Sequence, residues 1–335
     1  FSIVSNAQTY FFFFFNTPPV TPATIPYSCS FDDPNENAQW VLSNSTNISK
    51  WFIGTPTNTQ LPISGGCLYV SSDNGVTASY DLNNAGTVVA TRNIEFNGAT
   101  QYLLNFDLFI GGESSLDYLK VFLIDVDSNY VGVAGSTYPY YATNTFATNQ
   151  LLTNYAGTAP YFNGYNGSVI VPGSYPRQIV IPNQGPAGTV KKLVFVWKND
   201  GSVGTMPPAT IDNISLIVPS CPSPSTPVVS NILLNSVDLT WTENGAATQW
   251  LIEYKLASET NWNNASSTVA SNTASSSLTG LLSNTNYNAR IKAVCGSGDE
   301  SIWLYTSFLT ACDPFVTLPF SDFFDNYTSG SFPQC

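Results

Sequence analysis

The chain has 335 residues, enough for about two domains at roughly 100–200 residues each. Its 22 acids against 10 bases leave a net charge of −12, a balance that repels nucleic-acid backbones and anionic membrane surfaces. It has no histidine, which excludes Ser-His-Asp and Cys-His nucleophiles, histidine-ligated zinc or haem, and an imidazole pH switch. An apolar fraction of 43%, broken up by 23 Gly and 22 Pro, supports packed cores of short strands, and no stretch keeps a helical apolar period. Six cysteines with few other metal-binding partners point to an oxidising compartment and an exported protein.

Residues 1–7, Phe-Ser-Ile-Val-Ser-Asn-Ala, read as the tail of a signal peptide with cleavage after Ala7. Residues 8–27 contain Tyr10, the run from Phe11 to Phe15 and a Pro/Thr-rich spacer. Two readings stay open for this Phe-rich segment. It buries its rings against a neighbouring domain or partner, or it docks into another protein during export or assembly, self-assembly included. An aromatic run this short falls well below the roughly 20 apolar residues a membrane span needs.

From Phe31 onward, short alternating segments are separated by Gly, Asn, Pro or Asp. Strands are predicted at 67–70, 75–81, 101–110, 118–125, 177–181, 193–197 and 211–218. Tyr118, Lys120, Phe122 and Ile124 alternate with Leu119, Val121 and Leu123 at a period of two. So many strands suit one large sandwich or jelly roll. Ser220-Cys221-Pro222-Ser223-Pro224 then marks a change of composition and a domain boundary.

Beyond it come Val237-Asp238-Leu239-Thr240-Trp241, Trp250-Leu251-Ile252-Glu253-Tyr254 and Thr285-Asn286-Tyr287-Asn288-Ala289-Arg290. This stretch, 220–312, resembles a fibronectin type III domain. Trp241 matches the buried tryptophan of the second strand and Tyr287 the tyrosine corner, whose hydroxyl bonds to backbone. In the first domain, 28–219, Cys29-Ser30-Phe31-Asp32, Leu116-Asp117-Tyr118 and Ile211-Asp212-Asn213-Ile214 resemble a MAM-type jelly roll. The bacterial version belongs to the cleaved-adhesin and choice-of-anchor J groups of Bacteroidota surface proteins. Residues 313–335 echo the opening of that domain and read as the start of a second copy. The expected fold is therefore all-β: a MAM-like jelly-roll β-sandwich followed by a fibronectin type III β-sandwich.

The resemblance carries further expectations. In such jelly rolls the first and last strands lie side by side, so Asp32 and Asp212 can meet, with Asp117 as a third carboxylate. Calcium takes six to eight hard oxygen ligands, so a structural calcium site is expected there, against the plainer reading that these acids cap strand ends and turns. In a fibronectin sandwich the start of the first strand and the end of the sixth share a pole, so Cys221 and Cys295 should pair. Cys29 with Cys67 is offered inside the first domain without a geometric warrant, and Cys312 with Cys335 or with residues elsewhere, since six cysteines allow 15 pairings.

Two further stretches bear on function. Tyr138, Tyr140, Tyr141, Tyr161 and Tyr165 lie in a charge-free segment rich in Asn, Thr and Gly. They read either as a loop folded over the sandwich or as a ligand face that stacks on sugars or grips protein. Ser71-Ser72-Asp73-Asn74-Gly75-Val76-Thr77 resembles the Asp-box of sialidase-like propellers, and reads first as an ordinary Asn-Gly turn.

These features point to a non-catalytic extracellular adhesin or surface-filament module that binds surface glycan or protein, the front part of a longer secreted protein. By resemblance, proteins of this build are type IX secretion cargo, some serving attachment or gliding. The alternative is a carbohydrate-binding accessory region of a secreted hydrolase. Carboxylates such as Glu95, Asp107, Glu113 and Asp125 could serve glycoside hydrolysis, but no spacing singles out a pair.

Overall fold

The computed structural model describes residues 20–44, 46–57, 65–112, 116–127, 150–155 and 175–312. The signal-peptide remnant, the Phe run, the tyrosine set Tyr138, Tyr140, Tyr141, Tyr161 and Tyr165, and residues 313–335 lie outside them.

The first lobe contains β1 (Ala23–Thr24), β2 (Tyr27–Cys29), the short α1 (Pro34–Asn37), β3 (Val41–Ser43), β4 (Lys50–Gly54), β5 (Cys67–Ser71) and β6 (Gly86–Phe96). It continues with β7 (Gln101–Phe109), β8 (Tyr118–Asp125), β9 (Gln150–Tyr155), β10 (Tyr175–Pro182), β11 (Thr189–Asn199) and β12 (Thr210–Ile217). One sheet runs β1-β6-β11-β8-β9 with β3 also on β6; the other runs β10-β7-β12-β5-β4 with β2 on β12. Between them packs a core that includes Trp51, Trp197, Phe195, Phe106, Phe96 and Tyr102. Phe106 meets Phe195 edge to face, centroids 5.5 Å apart, an arrangement that adds roughly 0.5–1.5 kcal/mol beyond area burial.

The period of two in β8 sets its faces. Leu119, Val121 and Leu123 enter the central core. Phe122 and Ile124 join Val89, Val194 and Val196 in a second buried cluster on the opposite side of the sheet. Both faces of β8 are thus dry, which alternation alone does not predict. The strand expected at 75–81 is not one: the chain turns at Asn74 (φ 62°) and Gly75 (φ 85°). Two successive positive φ values are what a type I′ turn requires. Asp73 holds this turn by accepting from the Val76 and Thr77 N–H groups and from Thr77 Oγ1 at 2.6–3.1 Å.

The second lobe comprises β13 (Val228–Ser230), β14 (Ser236–Thr240), β15 (Gln249–Leu256), β16 (Ser266–Ser271), β17 (Ser275–Thr279), β18 (Asn286–Gly296), β19 (Asp299–Glu300) and β20 (Leu304–Leu309). They form a sheet β13-β14-β17 and a sheet β16-β15-β18-β19, with β20 also on β18. Trp241 and Trp250 meet edge to face in the core at 5.5 Å. Tyr287 occupies the corner expected of it: its hydroxyl accepts from the Leu282 N–H at 3.0 Å. The expected disulfide is present between Cys221 and Cys295, Cα atoms 5.7 Å apart.

The Cys29–Cys67 pairing is overturned, since both are free, buried thiols. Cys29 enters the inter-sheet core, whereas Cys67 packs with Tyr69, Ala78 and Phe52 in a separate cluster. The two side chains leave opposite faces of one sheet and cannot be bridged without moving backbone.

The lobes are joined by more than their linker. The buried Gln101 amide accepts from the Ser223 N–H at 2.7 Å and donates to the Ser223 carbonyl at 3.0 Å, as a paired strand would. Asn244 Nδ2 donates to the same carbonyl at 2.9 Å. Gln101→Ala therefore orphans a buried N–H while the carbonyl keeps a partner. The expected cost is about 1–3 kcal/mol, read as a lower denaturation midpoint together with a larger radius of gyration in solution scattering.

Candidate functional site

The acids expected to meet at the ends of the first lobe do so in part. Asp212, on β12, lies directly across from Asp107 on β7, and the register breaks just after it. There Asn213 takes φ 50°, its N–H donating to Asp212 Oδ1 at 2.7 Å and its Nδ2 to Asp107 Oδ2 at 2.9 Å. Asp32 comes in from the segment after β2, where its Oδ1 accepts the Gly66 N–H at 2.7 Å. A Cβ on Gly66 would lie 2.1 Å from the Phe31 carbonyl oxygen, so this close approach needs glycine. Asp212 is only 6% exposed. Burial, followed by the charges of Asp107 and Asp32, pushes its carboxyl up to about 6.

Asp117 does not join them. It is buried and committed to the fold, with Oδ2 accepting from the Tyr80 hydroxyl at 2.7 Å and Oδ1 from the Asp200 N–H at 3.0 Å. The third carboxylate near Asp32 and Asp212 is Asp107. The donors are hard oxygens, as calcium prefers. Among the described residues, however, no group of three or more His, Cys, Asp or Glu comes together closely enough to hold a metal ion. Asp125, among the acids considered for hydrolysis, is paired with Lys191 at 2.5 Å.

A cavity of about 650 Å³ opens beside β1 and β2, lined by Tyr27, Ser28, Ser30, Glu36, Arg92 and Asn213 among others. Of its charged groups, Arg92 holds Glu36 through two bonds, at 2.7 and 3.0 Å, and Asp33 Oδ1 accepts the Asn35 N–H at 2.8 Å.

The second lobe carries a site that sequence reasoning missed. Lys255, Arg290 and Lys292, its only bases, stand on β15 and β18 among the aromatic rings of Trp262, Trp303 and Tyr305. The Arg290 guanidinium lies between two indoles, 4.3 Å from the Trp262 centroid and 4.2 Å from that of Trp303. The Lys255 ammonium sits 5.1 Å from Trp262, and that of Lys292 4.8 Å from Trp303. Tyr305 meets Trp262 edge to face at 5.9 Å. Cation and ring thus alternate five deep. Cross-strand Glu253 binds Arg290 at 2.5 and 2.8 Å, and Glu300 pairs with Lys292. Each cation–π contact contributes about 0.5–2 kcal/mol, rising with desolvation, and Lys255 is buried while Arg290 and Lys292 are largely so. The ladder yields a stiff surface of half-buried Trp, Tyr and Arg, the residue types over-represented at binding hot spots, in which two of the three cations have a carboxylate partner. The sequence signal is limited to the alternate bases Arg290 and Lys292, which share one face of β18; Glu253 stands directly across from Arg290, whereas Leu251 stands across from Lys292 and Glu300 reaches it from β19.

Comparison with known proteins bears on this lobe. No curated protein sequence matches the chain. Among solved structures, a computer-redesigned β-sandwich protein is similar at 23% identity, covering 29% of this chain and 96% of its own, with a TM-score of 0.26. The FN3 domain of human collagen XX is similar at 22% identity, covering 28% of this chain and 95% of its own, with a TM-score of 0.25. A family model described as fibronectin type III domain matches residues 222–307. With the Tyr287 corner and the two-sheet sandwich in place, residues 222–307 are a fibronectin type III domain.

Proposed function

We propose that this chain is a non-catalytic binding region of a larger secreted protein, an adhesin or surface-filament module that grips glycan or protein. Fibronectin type III domains are common in extracellular adhesion and binding modules, and the domain together with the Cys221–Cys295 disulfide suggests an extracellular protein. No helix among the described residues is long and apolar enough to cross a membrane. The observation that carries the reading is the Trp262–Arg290–Trp303 ladder, a preorganised aromatic face on a domain type used for binding. The tyrosine-rich segment around Tyr138 to Tyr165 is a second contact region in this proposal, and the Phe-rich N-terminus a means of assembly.

Glycan arrays and panels of purified surface proteins would identify a ligand. Trp303→Ala should then weaken its binding at least tenfold, consistent with the 2 kcal/mol or more typical of a hot spot. Unchanged affinity, with the variant folded, would remove the ladder from the site.

Calcium at Asp32 and Asp212 belongs to the same proposal, because a cation there offsets the like charges that raise the Asp212 carboxyl. The melting temperature should rise with added calcium and fall with chelator, by an amount set by the free ion over its Kd. Identical melting in both conditions would eliminate this ion.

A further inference from the structure

The second lobe has two poles. One is occupied, since Ser223 and Asn244 there meet Gln101 and Thr100 of the first lobe. The other is formed by the turn 231–235, the turn 281–284 and the end of β20. Hydrogen bonds tie the three into one surface. The Ala311 N–H donates to the Leu233 carbonyl at 3.0 Å, the Leu281 N–H to that of Asn235 at 3.0 Å, and the Asn284 N–H to that of Ala311 at 3.1 Å. Thr310 Oγ1 donates to the Leu282 carbonyl at 2.6 Å.

This fixed surface is apolar. Ile232, Leu233, Leu282 and Leu309 are 44%, 58%, 61% and 46% exposed. They are four of the twelve large hydrophobic side chains exposed among the described residues, gathered at one end of one domain. Residues 231–235, 281–285 and 309–311 contain no charge. A contiguous apolar patch with a polar surround marks a place where something else binds.

We propose that the occupant is the segment that follows in this chain, residues 313–335. The described chain leaves this pole at Cys312, one residue beyond Ala311. Phe315, Val316, Leu318, Phe320, Phe323 and Phe324 come within the next twelve residues. At 3.3–3.6 Å per residue they are all within reach of Leu233 and Leu282. Cys312 is disulfide-bonded, whereas Cys221 and Cys295 pair with each other and Cys29 and Cys67 are free. The proposal gives Cys312 the remaining cysteine, Cys335, which returns the segment to the pole it left. The fibronectin domain then acts as a coupler, fixed to the first lobe at one end and seating the following segment at the other. This inference stands whether or not the aromatic ladder binds a ligand.

The test is limited chymotrypsin digestion of the whole chain, followed under reducing conditions by mass spectrometry, with light scattering alongside. Leu233→Asp combined with Leu282→Asp should speed cleavage after Phe315, Phe320, Phe323 or Phe324 at least tenfold and leave cleavage in the first lobe unchanged. If the double variant does not fold, Leu309→Asn replaces it, with the same direction expected. Equal cleavage rates at these phenylalanines in parent and variant would overturn the proposal. So would a concentration-dependent dimer that the substitutions abolish, because the occupant would then be a second copy of the chain.

Discussion

Replacing Cys221 and Cys295 together by serine is expected to destabilise the second lobe by roughly 4 kcal/mol. The two are 74 residues apart in sequence, so the bridge closes nearly the whole domain into one loop. In the chain-entropy treatment a loop of this length restricts the unfolded ensemble by about 4 kcal/mol at room temperature. The native contacts change little, because the pair joins the start of the lobe to the end of β18, where the strands already converge. The loss should therefore appear in the denaturation midpoint of the second lobe, followed by Trp241 and Trp250 fluorescence, and leave ligand affinity in place. Reducing the parent chain should reproduce the variant. A loss below about 1 kcal/mol in both experiments would mean that strand pairing alone holds this lobe closed.

Glu36→Gln should cost the first lobe about 3–5 kcal/mol. Arg92 is 3% exposed in the middle of β6. Its Nε and Nη2 meet Glu36, and its Nη1 donates to the Thr21 carbonyl at 2.6 Å and the Asn93 carbonyl at 3.1 Å. Glu36 also accepts the Tyr27 hydroxyl at 2.7 Å, and the guanidinium lies 5.7 Å from the Tyr27 ring. Removing the carboxylate's charge leaves a desolvated cation without its counterion, which is the costly way to break a buried pair. Replacing both partners, as Arg92→Met with Glu36→Leu, should be far milder, because no charge is then stranded. Urea denaturation of the single and double variants separates the two. A double variant as unstable as the single one would show that the carbonyl contacts, and not the ion pair, carry the effect.

These two cases also show what the sequence reveals and what it hides. The disulfide was legible because the fibronectin-like pattern placed Cys221 and Cys295 at one pole, and the Tyr287 corner was legible from the same pattern. The Cys29–Cys67 pairing failed because spacing does not say which face of a sheet a cysteine leaves. The faces were fixed only by the register of β2 and β5 against β12. No strand was predicted over β6, whose centre reads Thr91-Arg92-Asn93, since the partner that makes Arg92 tolerable there is 56 residues away. The segment 75–81 has strand composition, yet Asp73 draws its start into a turn.

The acidic site divides the same way. The opening and closing motifs of the first lobe single out Asp32 and Asp212, whereas the sequence does not show that Asp117 is bound instead to Tyr80, 37 residues upstream. Asp107, which does face Asp212, was visible only as one outward acid on an alternating strand. The aromatic ladder is not legible in the sequence because its rungs come from β15, β18, the Trp262 loop and Trp303 just before β20, which only the folded sheet brings together.

The central claim is that this chain grips a ligand and leaves it unchanged. The most direct measurement incubates the whole chain with the glycans and surface proteins it retains and analyses both bound and free material by mass spectrometry. The account predicts saturable binding with the ligand recovered intact. Steady release of cleaved product by the chain alone would contradict it.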